Sequence, residues 1–437
     1  MLKDFSDFES IDNEIDYSKV NLIIKEEREK SIELLKKAIG IRENNITSIG
    51  LHNNCTGCRN CEQLCPKNAI TMKLNKEGFL EPEIDKNKCI NCGICLKRCP
   101  QANNDIERNA PSKCIAAKNK DEEMLKKGSS GSIFEVLGAY ILKNNGTIYG
   151  VAFNNKLDLN TIRIENKNDL EKLMGSKYIQ SNTQNTFKLV KEDLENGRKV
   201  LYTGTPCQIA GLKSYLNKDY DNLLLVDLVC HGVPSEKLFK KYIEYMEKKY
   251  NSKIINYSFR SKEKNGWGLT AKVRFENGKK KYINANLDSY YKSFLEGKTY
   301  REACYNCKYA NTNRVGDITL ADYWGIKKEH PEFESTLGVS AVLINTEKGN
   351  EILEKLKDNI KFAETKIDKI ANANKNLVKP TKRPDIRSYV YNNIDELDYK
   401  QYSKQNLKFT KEFKDVLKNI VPSKVKKIIK DTILGGK

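Results

Sequence analysis

Cysteine is the residue type most able to do chemistry here: the 437-residue chain has 13. Eight fall in two runs of one design, Cys55-x2-Cys58-x2-Cys61-x3-Cys65-Pro66 and Cys89-x2-Cys92-x2-Cys95-x3-Cys99-Pro100, 34 residues apart. Three thiolates at two-residue gaps can wrap a loop around one face of an iron–sulfur cubane. The fourth, one helical turn on, reaches a second cubane. The spacing assigns Cys55, Cys58, Cys61 and Cys99 to one 4Fe–4S cluster, and Cys65, Cys89, Cys92 and Cys95 to another. The prolines keep the turn from continuing past the ligand. Zinc sites use ligand pairs separated by a longer gap, four ligands per ion, and fit this pattern poorly. The runs fix single-electron transfer but name neither donor nor acceptor.

Five cysteines remain: Cys114, Cys207, Cys230, Cys304 and Cys307. Cys304-x2-Cys307 is a ligand-type pair that alone suits zinc, iron–sulfur or a redox dithiol. Cys207 follows Thr205 and Pro206, a cap and a first-turn residue, so it should begin a helix whose dipole favours the thiolate. Cys230 should end the next strand, before His231. Residue chemistry leaves two readings open: convergence on a third cluster, or buried core cysteines. The loop Ser129-Ser130-Gly131-Ser132 enters a helix at Ile133 and could present backbone N–H groups to an anion, or be a plain capped turn. His231 could hydrogen-bond a cofactor or a cluster sulfur, or serve structure alone. No GxGxxG or P-loop string occurs.

The pattern around these residues sets the elements that carry them. A helix is expected at 18–39. Short strands at 69–72 and 80–84 should lie between the cysteine runs, and 101–112 should be a linker. Strands at 147–153, 199–203 and 223–229 should alternate with helices at 133–143, 206–216 and 235–249, the last capped by Ser235. Asn277-Gly278 marks a hairpin between 271–275 and 281–283. The expected fold class is mixed α/β (α+β). It has a helical extension at 1–44, a two-cluster bacterial-ferredoxin-like module at 45–108, an α/β domain at 109–345 and a helical region at 346–437. Residues 401–437 carry ten lysines against three acids. Their apolar positions make a basic amphipathic tail, suited to a solvated packing helix, an acidic partner or peripheral contact with an anionic membrane.

Composition excludes several classes. Hydrophobic residues are 39% and charged residues 31%, a polar but foldable balance. No apolar run approaches the ~20 residues of a membrane helix. The acidic start, with Asp4, Asp7, Glu9, Asp12, Glu14 and Asp16 against Lys3, reads against a signal peptide. The cysteines then belong to a reducing cytoplasm, with the inner membrane face as a peripheral alternative, and not to a disulfide framework. The net charge is +19. No nucleic-acid motif accompanies it, so no nucleic-acid partner is expected.

Six segments occur in order: Ser129–Ser132; Gly175-Ser176-Lys177-Tyr178; Thr203-Gly204-Thr205-Pro206-Cys207-Gln208; Asp227 to Ser235; Phe259-Arg260-Ser261-Lys262; and Gly316 to Gly325. Together they resemble the family of coenzyme F420 hydrogenase and dehydrogenase beta subunits, over about 110–400, with the ferredoxin module in front. The resemblance implies an α/β domain that binds FAD and a third 4Fe–4S cluster on Cys207, Cys230, Cys304 and Cys307, leaving Cys114 structural. It places FAD near Ser129, Ser130, Gly131, Ser132, Lys177, Gly204, Thr205 and Pro206. The family usually reads Ser-Ser-Gly-Gly where this chain has Ser132, and a Cβ there could weaken flavin binding. Three clusters and one FAD would lower the net charge to about +11, a field that steers anionic redox partners.

The function implied is an iron–sulfur flavoprotein oxidoreductase passing electrons between 4Fe–4S clusters and FAD. It would be coupled to a deazaflavin (coenzyme F420-type) or another small hydride carrier, and to a redox protein such as ferredoxin or a partner subunit. The alternative is a non-catalytic electron-transfer subunit of a larger complex, such as one associated with surface-polysaccharide synthesis. No catalytic residue is assigned.

Overall fold

In this computed structural model the described residues are 44–411 without Asn104, plus Ile24, Glu27, Arg28 and Ser31. Those four are helical, and the rest of the 18–39 helix lies outside the described residues. So does the amphipathic tail beyond residue 411.

The front module is small. Helix α1 (Asn60–Leu64) carries the last turn of the first cysteine run. Strands β1 (Ile70–Leu74) and β2 (Leu80–Ile84) pair antiparallel, Ile70 opposite Ile84 and Leu74 opposite Leu80. Asn75 Oδ1 accepts from the N–H groups of Glu77 and Phe79 and closes the turn between them. Helix α2 (Ile94–Lys97) opens after Gly93, whose φ of 74° is cheap only for glycine. Ile46, Ile70 and Met72 pack directly against Cys61, Cys95 and Cys99, so the module's core is built around its cysteines.

The rest is a mixed α/β domain. In chain order it runs β3 (Lys113–Asn119), α3 (Ile133–Lys143), β4 (Thr147–Phe153), β5 (Leu159–Ile164), α4 (Thr186–Glu195), β6 (Val200–Thr203), α5 (Pro206–Leu216), β7 (Leu223–Leu228), α6 (Glu236–Tyr250), β8 (Ile254–Ser258), β9 (Thr270–Phe275), β10 (Lys280–Asn284), β11 (Ile318–Asp322), β12 (Ser340–Ile344), α7 (Glu347–Leu356) and β13 (Ile360–Thr365). Eight strands form one sheet in the order β13-β3-β12-β11-β7-β6-β4-β5. The centre, β4-β6-β7-β11, is parallel. β5, β12, β3 and β13 pair antiparallel. Apolar residues of α3 and α7 cover one face of the sheet, and those of α4 and α5 the other. A second antiparallel sheet, β10-β9-β8, holds the Asn277–Gly278 hairpin and packs with α6 in a tyrosine-rich core. Among the described residues no helix is long and apolar enough to cross a membrane.

Two expectations change. Residues 360–365 are not helical: β13 pairs with β3 from Ile360–Asn119 to Thr365–Cys114 and extends the sheet past residue 345. The stretch 101–112 is not a free linker. Arg108 donates to the Lys308 carbonyl at 2.8 Å, Asn109 bridges Arg314, and the Ser112 N–H donates to the Ile344 carbonyl.

Candidate redox centre

The parallel strands end on one side, where α/β sheets usually hold their ligands. After β6 the chain turns through Gly204 and Thr205 into α5. Gln208 Oε1 accepts the Thr205 N–H at 3.1 Å, and Pro206 fills the first helical position, as the sequence suggested. That turn puts Cys207 on the first turn of α5. β7 ends before Cys230 and His231, and Ser235 Oγ accepts the Leu238 N–H to start α6. Cys304 and Cys307 arrive on the short helix Glu302–Tyr305 and the turn after it.

The cysteines fall into three sets. Cys58 is pushed up by burial, then by the neighbouring Cys99, Cys55 and Cys207. Cys61 is pushed up by burial, then by Cys58, Cys55 and Cys99. Cys55, Cys58, Cys61 and Cys99 therefore share one neighbourhood, with the last supplied by the second run. Cys65, Cys89, Cys92 and Cys95 line one small cavity together. Cys207, Cys230, Cys304 and Cys307 line another of about 50 Å³. The structure thus gathers the groups of four that the sequence paired. Cys114 stands apart on β3, 8% exposed, with its thiol pushed up to about 11 by burial.

The donor sets suit polynuclear clusters. A tetrahedral zinc with Zn–S near 2.3 Å would draw its sulfurs to about 3.8 Å apart. Among the described residues no three cysteine sulfurs lie within 4.8 Å of one another. N–H groups already point at sulfur: Gly57 to Cys55 Sγ and Ala69 to Cys65 Sγ at 3.3 Å, and Gln101 to Cys99 Sγ at 3.4 Å. Such bonds tune cluster potentials. The helix dipole does not prevail at Cys207. Burial and Cys307 push its thiol up to about 11, against the lowering effect of Thr205 and Arg301. A bound cation would have to supply the charge that makes it a thiolate.

The sets lie in sequence. A Cβ at Gly211 of α5 would sit 3.2 Å from Cys58 Sγ, so the helix that starts at Cys207 presses its bare glycine onto the first set. At the other end Cys92 is exposed and its neighbour Ile90 is 59% exposed, so the second set faces solvent.

Beside the third set lies a cavity of about 270 Å³ at the ends of β6, β7 and β11. Ser129, Ser130, Lys177, Gly204, Thr205 and His231 are on its wall. Thr205, Gln208, Cys230, His231, Gly232 and Val233 line both this cavity and the cysteine cavity. Pro206 faces only the cysteine side. Gly131 and Ser132 are on neither wall. Gly131 is wedged where a Cβ would stand 2.1 Å from the Ala117 carbonyl, and Ser132 Oγ donates to the Met124 carbonyl at 3.0 Å. Lys177 Nζ donates to the carbonyls of Leu173, Met174 and Gly175 at 2.8–3.1 Å, so its three donors are in use. Burial brings it down to about 7.

Sequence reasoning missed four features of this region. Glu135, 2% exposed, is on the cavity wall. Lys262 Nζ reaches under the serine loop to the Leu125 and Ser130 carbonyls at 2.6 and 2.7 Å. Arg260 forks onto Asp322 at 2.9 and 3.1 Å, while Trp267 Nε1 donates to the same carboxylate at 2.7 Å. Arg301, 2% exposed, lines the cysteine cavity. Arg260, Lys262 and Asp322 stood inside recognisable strings without a role; Glu135 and Arg301 gave no signal.

Comparison with known proteins fits this layout. Residues 197–370 match the family described as the C terminus of the coenzyme F420 hydrogenase/dehydrogenase beta subunit. Residues 54–103 match the 4Fe–4S dicluster domain. The F-type subunit of the F(420)H(2) dehydrogenase of Methanosarcina mazei is 24% identical over 217 residues, 46% of this chain and 61% of that protein. The ferredoxin-type protein NapF of Haemophilus influenzae is 38% identical over 55 residues, 12% of this chain and 31% of its own. The chain thus spans less than two thirds of either relative. A chain of the F420-reducing [NiFe] hydrogenase complex from Methanosarcina barkeri aligns over 61% of this chain and 89% of its own, with TM-score 0.43 and 19% identity. This chain joins a 4Fe–4S dicluster domain to a domain of the family of coenzyme F420 hydrogenase/dehydrogenase beta subunits.

Proposed function

We propose that the protein is an iron–sulfur flavoprotein oxidoreductase. Its three cysteine sets hold 4Fe–4S clusters that carry single electrons between an FAD in the 270 Å³ cavity and an external redox protein. The observation that carries this reading is the shared wall: Cys230 and His231 border both the cavity and the third cysteine set. A relay from cavity to third set, first set, second set and solvent follows from the contacts at Gly211 and the exposure of Cys92.

The cavity's own groups fit a flavin-type ring. Val151, Leu173, Val229 and Phe294 give apolar walls, and Ser129, Ser130 and Thr205 give polar ends. Glu135 Oε2 is buried without a hydrogen-bond partner, an acceptor that a ring N–H would satisfy. Ser129, Ser130, Gly204 and Thr205 would hold the cofactor; Lys177 would contribute charge through space, its donors being occupied. Bound FAD would supply the exchange between two-electron and one-electron chemistry. Arg260 and Trp267 fix Asp322 at the cavity edge, so its carboxylate is positioned. The two-electron partner is a hydride carrier of deazaflavin type or another organic substrate.

The test is anaerobic purification, flavin extraction, and reduction by reduced deazaflavin, NAD(P)H and reduced ferredoxin offered in turn. The reading expects about one FAD per chain, bleached by one hydride donor together with the clusters. Clusters without flavin would leave electron carriage within a larger complex as the function.

A further inference from the structure

Glu135 is a buried acid for which the electron relay has no use. It is the third residue of α3, 2% exposed, on the wall of the cavity. Its Oε1 stands over Gly128, where a Cβ would be 2.6 Å away, beside Ser132. Its Oε2 is buried and has no partner. Two cations face it, Lys262 from the segment after β8 and Lys177 from the loop before Tyr178, yet neither forms an ion pair with it, because both spend their donors on carbonyls. A carboxyl sealed this way should be neutral or have work to do.

We propose that Glu135 is the proton carrier of the ring site: its Oε2 exchanges one proton with a flavin-type ring bound in the cavity. This rests on the reading of that cavity as the ring site. As a hydride donor supplies two electrons and one hydrogen, Glu135 gives the second proton from Oε2 and becomes a carboxylate facing Lys262 and Lys177. When two electrons leave singly for an iron–sulfur acceptor outside the chain, Glu135 takes one proton back and the other goes to water. Burial raises the Glu135 carboxyl, against its own amide, Ser132, Lys262 and Lys177. The same burial lowers Lys262 to about 8 and Lys177 to about 7. The group thus sits among neighbours that can share one proton change.

The experiment is redox-difference infrared spectroscopy of anaerobic, FAD-loaded protein, with dithionite as reductant, on wild type, E135Q and E135D. Wild type should lose a protonated-carboxyl band as the ring is reduced and regain it on oxidation. E135Q, with the same flavin and iron content, should lack that band, and its ring reduction should slow by about 10²-fold or more. E135D should keep a shifted band. A reduction that leaves the carboxyl region of wild type unchanged, or E135Q losing the same band, overturns the proposal; the wild-type result stands even if E135Q does not fold. Wild type that retains no flavin defeats the ring site itself.

Discussion

Arg301 donates its Nε–H to the backbone carbonyl of Cys55, and through that bond the α/β domain holds the first cysteine run. The same guanidinium donates to the Leu80 carbonyl at 2.9 Å and to Gln180 Oε1 at 3.1 Å. It also faces the third cysteine set, where its charge lowers Cys207 and Cys304 against their burial. One buried cation thus fastens two cysteine sets to each other. Replacing it by glutamine strands two buried carbonyls, a cost of about 3 kcal/mol. R301Q should lower the thermal unfolding midpoint by several degrees and speed iron loss, followed anaerobically by cluster absorbance. Unchanged iron retention would show that the domains are held by other contacts.

The serine loop offers a sharper contrast. Gly131 has no room for a Cβ, with the Ala117 carbonyl 2.1 Å and the Ser340 nitrogen 2.6 Å from where it would be. G131A should destabilise by more than about 2 kcal/mol. Ser132 has φ of 59°, which a glycine would relax, but its hydroxyl holds the Met124 carbonyl. S132G should change stability by less than about 1 kcal/mol and leave flavin affinity unchanged, since Ser132 is behind the cavity wall. Denaturant unfolding and flavin titration of both variants check this.

Asp193 sets a pH dependence remote from the redox centre. It accepts from Arg163 at 2.8 and 3.0 Å, from Tyr149 at 2.7 Å and from Thr147 at 3.1 Å. Burial pushes its carboxyl up, but the bonds to Arg163 and Tyr149 pull harder, and the net is below the usual carboxylate range. A carboxyl held low in the folded state adds stability that is full above its unfolded value and lost as pH falls through its folded value. D193N should cost about 2 kcal/mol at pH 7 and much less in strong acid, so its unfolding curve should approach wild type as pH drops below 4. An equal cost at both pH values would contradict this role.

Much of this arrangement could be read in the chain. The helix at Ile133–Lys143 and the strand at Thr147–Phe153 stand where apolar periodicity and the Asn-Asn-Gly turn placed them. The cross-pairing of Cys65 and Cys99 was legible because the spacing leaves the fourth sulfur pointing away from its own loop. β13 was not legible: Ile360–Thr365 has a charged, half-exposed pattern, and only its place beside β3 makes it a strand. Arg301 and Glu135 were invisible for a related reason. A lone charged residue in a polar stretch reads as solvated, and only tertiary packing buries it. Lys177 was legible as a cavity residue, but not that three carbonyls would occupy it.

The central claim is that three sets of four cysteines each hold a cubane, the third beside the ring cavity. The most direct measurement is iron and sulfide per chain with spin counting, on anaerobically reconstituted wild type and C304A. The account predicts about twelve irons and twelve sulfides in wild type and about eight in C304A, with the spectra of the two front clusters intact. Eight irons in wild type, or zinc in the third set, would contradict it.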